Sequence, residues 1–107
     1  MTSTPGASMD AQQDEAATVI RHDADDRRFS TIVDGKKGFV EYERVDDVLV
    51  LTHTVVPKEI GGRGIAGQLV RAALDFAREQ GLKVRPDCSY ADAWMRRHPD
   101  YDALRVA

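Results

Sequence analysis

Three groups of residues in this sequence are of types that could carry out chemistry. A run with three glycines, Gly61-Gly62-Arg63-Gly64, follows an apolar segment and directly precedes a helix pattern. His53 lies within that apolar segment, and the only cysteine, Cys88, follows the next apolar segment. Glycines let the main chain approach an anion without interference from Cβ atoms, and the free N–H groups at a helix start attract one. The spacing therefore predicts a seat for a diphosphate, with an imidazole and a thiol in the adjoining strands.

The two reactive side chains each have a structural and a chemical interpretation. On strand alternation His53 shares a face with Leu49, Leu51 and Val55, so it can be a buried, hydrogen-bonded histidine. An imidazole near the end of a strand can also take a proton from an ammonium group or a water, and we favour that interpretation. A single cysteine after a strand is more often a small core residue than a nucleophile.

Composition limits the class of protein. The chain has 107 residues, of which 42% are hydrophobic, enough for one modest core. Residues 1–16 hold no aromatic or β-branched aliphatic residue and are expected to form a flexible tail before a single domain of residues 17–107. One cysteine, no signal peptide and no bilayer-spanning run predict a cytoplasmic protein that does not bind a membrane. A net charge of −3 argues against nucleic acid as a partner, and no cluster has metal-ligand spacing, so no metal is expected.

The elements that must position these residues can be read from periodicity. Four strand patterns joined by short turns predict an antiparallel meander: residues 18–22, 29–33, 37–45 and 48–56. Between the second and the third, Asp34-Gly35 predicts a tight hairpin, because both residues tolerate positive φ. The fourth is apolar on both faces, which is typical of a central strand covered on both sides. An amphipathic helix follows from Ile65 and is capped by Gly81. A short strand over 82–85 is expected to pair parallel to its predecessor, and a second helix runs from 89 or 90 to 97. Residues 100–107 fit either a helical turn or a last strand.

This arrangement resembles the coenzyme A site of the GNAT N-acetyltransferases. Their signature, Q/R-x-x-G-x-G/A, is matched by residues 61–66 except that Gly61 stands at the first position. The chain is most similar to the very small, single-domain subgroup (YjdJ-like), in which His-Thr-x-Val-Pro precedes the signature and a cysteine followed by an aromatic comes after the next strand. Here these segments are His53-Thr54-Val55-Val56-Pro57 and Cys88-Ser89-Tyr90. The likeness covers roughly residues 18–104.

Two other phosphate-binding patterns fit less well. A P-loop needs a G-K-[ST] ending, which the glycine run lacks. A dinucleotide fold needs G-x-G-x-x-G after the first strand of a repeated βαβ series, and no such series is present.

The resemblance implies an α+β fold of the three-layer α/β GNAT type and an acetyl-CoA-dependent N-acetyltransferase that acts on an amine. It implies that His53 takes the proton of the amine and that an N–H near Val55 stabilises the oxyanion. Cys88 would relay the acetyl group or protonate the leaving thiolate, a role that Tyr90 could share. Coenzyme A or acetyl-CoA is expected to contact these residues: Thr54, Val55, Val56, Lys58, Gly61, Gly62, Arg63, Gly64, Ile65, Ala66, Gly67, Gln68, Cys88 and Arg96, with Arg71 and Arg97 as further basic candidates.

The sequence says less about the molecule that accepts the acetyl group than about the coenzyme. Only residues 23–27 separate the first two strands, so the helices that wall the acceptor cleft in full-size GNAT domains cannot be present. An open acceptor side suits an amine on a protein or presented by a partner, and either Glu41 or Glu43 could hold a cationic acceptor. The alternative is a non-catalytic coenzyme A or acyl-CoA binding module, and an inert scaffold is a weaker one. A monomer or weak dimer is expected.

Overall fold

The centre of the structure, a computed structural model that describes residues 18–106, is a five-stranded sheet. The strands lie side by side in chain order. The first four are antiparallel, and the fifth is parallel to the fourth. The strands are β1 Arg21–Asp23, β2 Arg28–Val33, β3 Lys36–Val45, β4 Val48–Val55 and β5 Lys83–Pro86. The predicted meander and its parallel fifth strand are confirmed, although the first strand begins later than predicted. The proposed tail over 1–16 lies outside the described residues.

The hairpin between β2 and β3 shows how local sequence sets this sheet. Asp34 and Gly35 connect the two strands and have φ angles of 51° and 74°. A two-residue turn with positive φ at both positions matches the twist of the flanking strands, and aspartate and glycine both tolerate that conformation. The tight turn predicted from this dipeptide is confirmed.

Within residues 18–106, two α-helices and two 3₁₀ helices accompany the sheet. α1, Ile65–Gln80, begins after Gly64 and ends at Gly81, both in the left-handed region. α2 is Ser89–Arg96, and the 3₁₀ helices are Lys58–Ile60 and Pro99–Leu104. For the C-terminal residues the sequence left open a helical turn or a last strand. The structure shows the 3₁₀ helix Pro99–Leu104, after which Arg105 forms only an isolated bridge with Val84. None of the helices within residues 18–106 has the length and apolar run needed to cross a bilayer.

The four helices of the described part of the chain lie on one face of the sheet. α1 and α2 share a core with β2 to β5, to which Trp94, Met95 and Tyr101 contribute. Tyr101 also donates from its hydroxyl to Asp75 of α1 at 2.8 Å. Val50 of β4 is 3% exposed but lies outside this core, on the opposite face. The fold class is confirmed. Residues 18–106 build two layers, the sheet and the helices on one face of it, rather than the expected three. A four-residue turn joins β1 to β2 and leaves no length of chain there for a third layer. These helices therefore cover β4 on one face and not on both.

α1 and α2 pack closely against each other at Gly67. A Cβ atom at this position would lie 2.9 Å from Nε1 of Trp94, whose side chain is buried. Gly→Ala in a helix ordinarily stabilises a protein by roughly 0.5–1 kcal/mol. Here we expect Gly67→Ala to lower the free energy of unfolding by about 1–3 kcal/mol, because the helices must move apart. Denaturant unfolding measures the change, and a more stable variant would contradict the close packing.

Candidate functional site

β4 extends past the end of β5 and leaves a main-chain edge open. Pairing between the two strands ends at Leu51 and Pro86, and proline has no N–H to continue the ladder. The last main-chain bond runs from the N–H of Cys88 to the carbonyl of Leu51 at 2.9 Å, after which the chain turns into α2. β4 itself continues to Val55. A gap therefore opens between the two strands along residues 52–55.

A β-bulge at Thr52 reverses the alternation of β4 just before this gap. Leu51 and His53 oppose adjacent residues of β3, so β4 carries one extra residue. The Thr52 hydroxyl donates to the Glu41 carbonyl at 3.1 Å. Leu49 and Leu51 are fully buried against the helices, whereas His53 is exposed on the other face. The expectation that His53 shares a face with these leucines is wrong, and the register shift is the reason.

Cys88 lies at the start of the gap, on the helix side. It is the N-cap residue of α2, and its Sγ is 3.3 Å from Oγ1 of Thr54. Burial raises the pKa of the Cys88 thiol. Hydrogen bonding by the Thr54 hydroxyl and by the N–H groups of Ala91, Tyr90 and Thr54 outweighs burial, so the pKa of Cys88 lies below its ordinary value. These donors stabilise the thiolate, which is the nucleophilic form.

Replacing Thr54 by valine tests this activation of the thiol. The variant keeps the shape of the side chain and removes one donor to the thiolate, so the pKa of Cys88 should rise. At any pH below that pKa the thiolate fraction falls, and alkylation by iodoacetamide should slow several-fold, with the pH–rate curve displaced to higher pH. Thr52→Val is the control, since that hydroxyl bonds the main chain of β3. An unchanged curve for Thr54→Val would contradict the assignment.

The glycine run forms an open cradle at the start of α1. Gly62 and Gly64 have φ angles of 77° and 75°, a conformation that disfavours other residues. A Cβ atom at either position would meet nothing within 4 Å. The Gln68 N–H already donates to the Gly64 carbonyl at 3.1 Å, so the N–H groups of residues 65–67 have no partner within the helix. With no acidic residue in the first turn of α1, the cradle fits a diphosphate.

The basic side chains expected near this cradle already have acidic partners at two positions. Arg63 forms an ion pair of 2.8 Å with Asp34, and Arg96 one of 3.1 Å with Asp92. Lys58 is exposed in the 3₁₀ helix between β4 and the glycine run. Exposed pairs of this kind are worth only about 0–1 kcal/mol. Either arginine can therefore exchange its carboxylate for a phosphate at low cost.

Tyr90 points toward the cradle. Its hydroxyl lies 3.5 Å from the position that a Cβ atom of Gly67 would take in the first turn of α1. The main-chain N–H of Tyr90, a different group, donates to the sulfur of Cys88. The neighbouring Trp94 ring lies 5.4 Å below the Arg71 guanidinium. The structure thus places the Tyr90 hydroxyl beside Gly67, in the first turn of α1.

His53 occupies the sheet face opposite the helices, with Glu41 of β3 as its register partner. The Glu41 carboxylate accepts two hydrogen bonds from Arg28, at 2.9 and 3.1 Å. His53 and Cys88 therefore approach the same end of β4 from opposite sides of the sheet. The sequence offered no signal for the contact of Arg28 with Glu41. In the sequence, the run of polar residues at 52–54 is the only sign of the β-bulge in β4.

The chemistry available at this site is that of a thiol, an imidazole and main-chain N–H groups. Among residues 18–106, no three His, Cys, Asp or Glu side chains are grouped to hold a metal ion. The glycine cradle can hold a diphosphate. The open edge of β4 can pair with an extended, amide-bearing chain. A ligand with its diphosphate in the cradle and its extended part paired with β4 would have its other end at Cys88.

Comparisons with known proteins bear on this geometry. A family model described as GCN5-related N-acetyl-transferase matches residues 28–104. Protein NATD1 of Xenopus tropicalis is 34% identical over 94 residues, which cover 85% of this chain and 86% of that protein. Protein NATD1 of Mus musculus is 39% identical over 83 residues, covering 75% and 76%. The solution NMR structure of a protein described as a GCN5-like N-acetyltransferase from Staphylococcus aureus aligns with a TM-score of 0.67 and 26% identity, covering 83% of this chain and 88% of that chain.

Proposed function

The chain belongs to the GCN5-related N-acetyltransferase family, and on that premise we propose that it moves the acetyl group of acetyl-CoA to an amine. One observation carries the proposal: the open edge of β4 leads from a glycine cradle to a thiol whose charged form is stabilised. A diphosphate, an amide-bearing arm and a thioester occur in that order in acetyl-CoA. The cradle, the strand edge and Cys88 offer matching partners in the same order.

We assign binding of the coenzyme to three parts of this surface. The N–H groups of residues 65–67 donate to the diphosphate. Residues 54–56 pair with the amide groups of the pantetheine arm, as an added strand would. Lys58, Arg63 and Arg96 are our candidates for contact with the remaining phosphate. When bound, acetyl-CoA supplies an activated acetyl thioester.

We assign to Cys88 the role of acetyl carrier. Its thiolate attacks the thioester carbonyl, the bond from that carbon to the coenzyme sulfur breaks, and coenzyme A leaves as a thiolate. We assign the oxyanion donor to the N–H of Thr54 rather than to Val55, because the bulge turns that group toward Cys88. Tyr90, beside the cradle, stays a candidate for returning a proton to the departing thiolate.

We assign to His53 the proton transfer of the second half-reaction. An amine attacks as the neutral base, so a group on its side of the sheet must accept its proton. His53 takes the proton, the amine nitrogen bonds to the acetyl carbon, and the sulfur of Cys88 leaves. A four-residue turn joins β1 to β2, and no helix of residues 18–106 covers that side of the sheet, which favours an amine borne by a protein or presented by a partner.

Incubation with acetyl-CoA and a panel of lysine peptides and small primary amines tests the proposal. Mass analysis should show an acetylated amine, formed faster than in the absence of protein. Binding of coenzyme A with no transfer to any amine would favour the alternative function, a coenzyme A or acyl-CoA binding module.

A further inference from the structure

Four side chains form a row across the face of the sheet that lies opposite the described helices, called the open face below. Asp23 opposes Arg28, Arg28 opposes Glu41, and Glu41 opposes His53, each on the neighbouring strand. Directly opposed residues have Cβ atoms about 4.5–5.5 Å apart. The row therefore leads from the edge strand β1 to the gap beside β4. The proposed function uses only its last member, His53.

The middle of this row is fixed in place. Arg28 and Glu41 are about two-thirds buried, with side-chain exposures of 33% and 31%. The Arg28 guanidinium also lies 4.1 Å above the ring of Phe39. Nε and one terminal nitrogen of Arg28 both donate to Oε2 of Glu41. A planar guanidinium held on two sides orients the carboxylate, and Oε1 is left for another donor.

The main chain between Glu41 and His53 is fixed as well. The Thr52 hydroxyl donates to the Glu41 carbonyl at 3.1 Å, which ties the bulge to β3. The bulge directs His53 to the face that Glu41 occupies. Because His53 is exposed, rotation about its side-chain bonds can bring a ring N–H to Glu41.

Resting on the proposed function, we propose that Glu41 is a positioning residue for His53, with Arg28 as the clamp on its carboxylate. Oε1 of Glu41 accepts a hydrogen bond from one ring N–H of His53. The other ring nitrogen is then unprotonated and faces the amine that arrives on the open side of the sheet. A general base that is held in one tautomer by a third group is ready to accept a proton, whereas a free imidazole divides its time between two tautomers.

Glu43 provides a matched control. It lies on the same strand and the same face, and it also pairs with an arginine, Arg27, at 3.8 Å. It opposes Val50 instead of His53. Removing either carboxylate therefore removes one surface ion pair, but only the loss of Glu41 should affect His53.

¹⁵N NMR of the His53 ring in the full chain loaded with coenzyme A tests the inference. In mildly alkaline buffer the wild type should give one protonated and one unprotonated ring nitrogen, assigned by their loss in His53→Gln. In Glu41→Ala the two signals should move toward each other, because both tautomers become populated, and in Glu43→Ala they should stay. Transfer to a lysine peptide should fall at least about tenfold in kcat for Glu41→Ala, a part of the ~10²–10⁴ that a general base supplies, with KM for acetyl-CoA unchanged.

Averaged ring signals in the wild type, or unchanged signals in Glu41→Ala, would overturn the inference. If Glu41→Ala does not fold, Arg28→Met takes its place, since an unclamped carboxylate should also allow averaging of the His53 signals. Titration of the same samples with coenzyme A distinguishes failure of the positioning role of Glu41 from failure of the proposed acetyltransferase function. All variants should bind it as the wild type does, and a wild type that binds none would reject the proposed function itself.

Discussion

Replacing Gly64 by glutamate should weaken coenzyme A binding by at least about a hundredfold. Gly64 is the N-cap residue of α1 with a φ of 75°, and the space around its Cβ position is open. A glutamate side chain would enter the cradle and place a carboxylate where the diphosphate is expected. Losing two hydrogen bonds to a charged group, each worth about 1.5–3 kcal/mol, predicts at least a hundredfold weaker affinity. Titration calorimetry with coenzyme A measures the loss.

Gly81→Glu is the matched control for this variant. Gly81 ends the same helix with a φ of 72° and has equally open surroundings. Both substitutions force a glutamate into the left-handed region, which costs roughly 1–2 kcal/mol. Thermal unfolding should therefore show similar destabilisation, whereas only Gly64→Glu should lose coenzyme A. Equal affinity in the two variants would show that the coenzyme does not use this cradle.

Replacing Cys88 by alanine should remove both the acetyl–protein adduct and the transfer activity. The wild type incubated with acetyl-CoA alone should gain one acetyl group on Cys88, and Cys88→Ala should gain none. Removing the nucleophile of a covalent mechanism costs several orders of magnitude in rate, so we expect transfer to an amine to fall by about a thousandfold or more. Intact-mass analysis and a coupled assay for free coenzyme A thiol measure the two effects.

Formation of the adduct, read together with the loss of rate, distinguishes the roles of this thiol. If Cys88 only protonates the leaving thiolate, no adduct forms and the rate should fall by no more than the ~10²–10⁴ typical of acid–base groups. If Cys88 is a packing residue, Cys88→Ala should lose stability and keep its activity. Thr54→Val keeps the sulfur, so it should still form the adduct, but more slowly. Coenzyme A affinity should change little in these variants, because residues 54–56 are proposed to pair with the pantetheine arm through their main chain, which the substitutions keep.

Sequence alone determined the elements whose signals lie within a few residues of one another. α1 was predicted from the spacing of its apolar residues and from the glycines at its ends, and it spans Ile65–Gln80. The Asp34-Gly35 turn was predicted because both residues tolerate positive φ. In both cases the main-chain conformation depends on the residues themselves, so no distant contact was needed. The glycine cradle could be located for the same reason.

Only the tertiary structure decided which way the reactive side chains face. The direction of His53 depends on one extra residue, Thr52, in the pairing of β4 with β3. A single inserted residue moves every later side chain to the other face, and its place is set by the packing of the whole sheet. The contacts of Cys88 with Thr54 and of Arg28 with Glu41 also join residues that are far apart in the chain. Local patterns therefore defined the elements, and the long-range pairing of strands determined how the side chains meet.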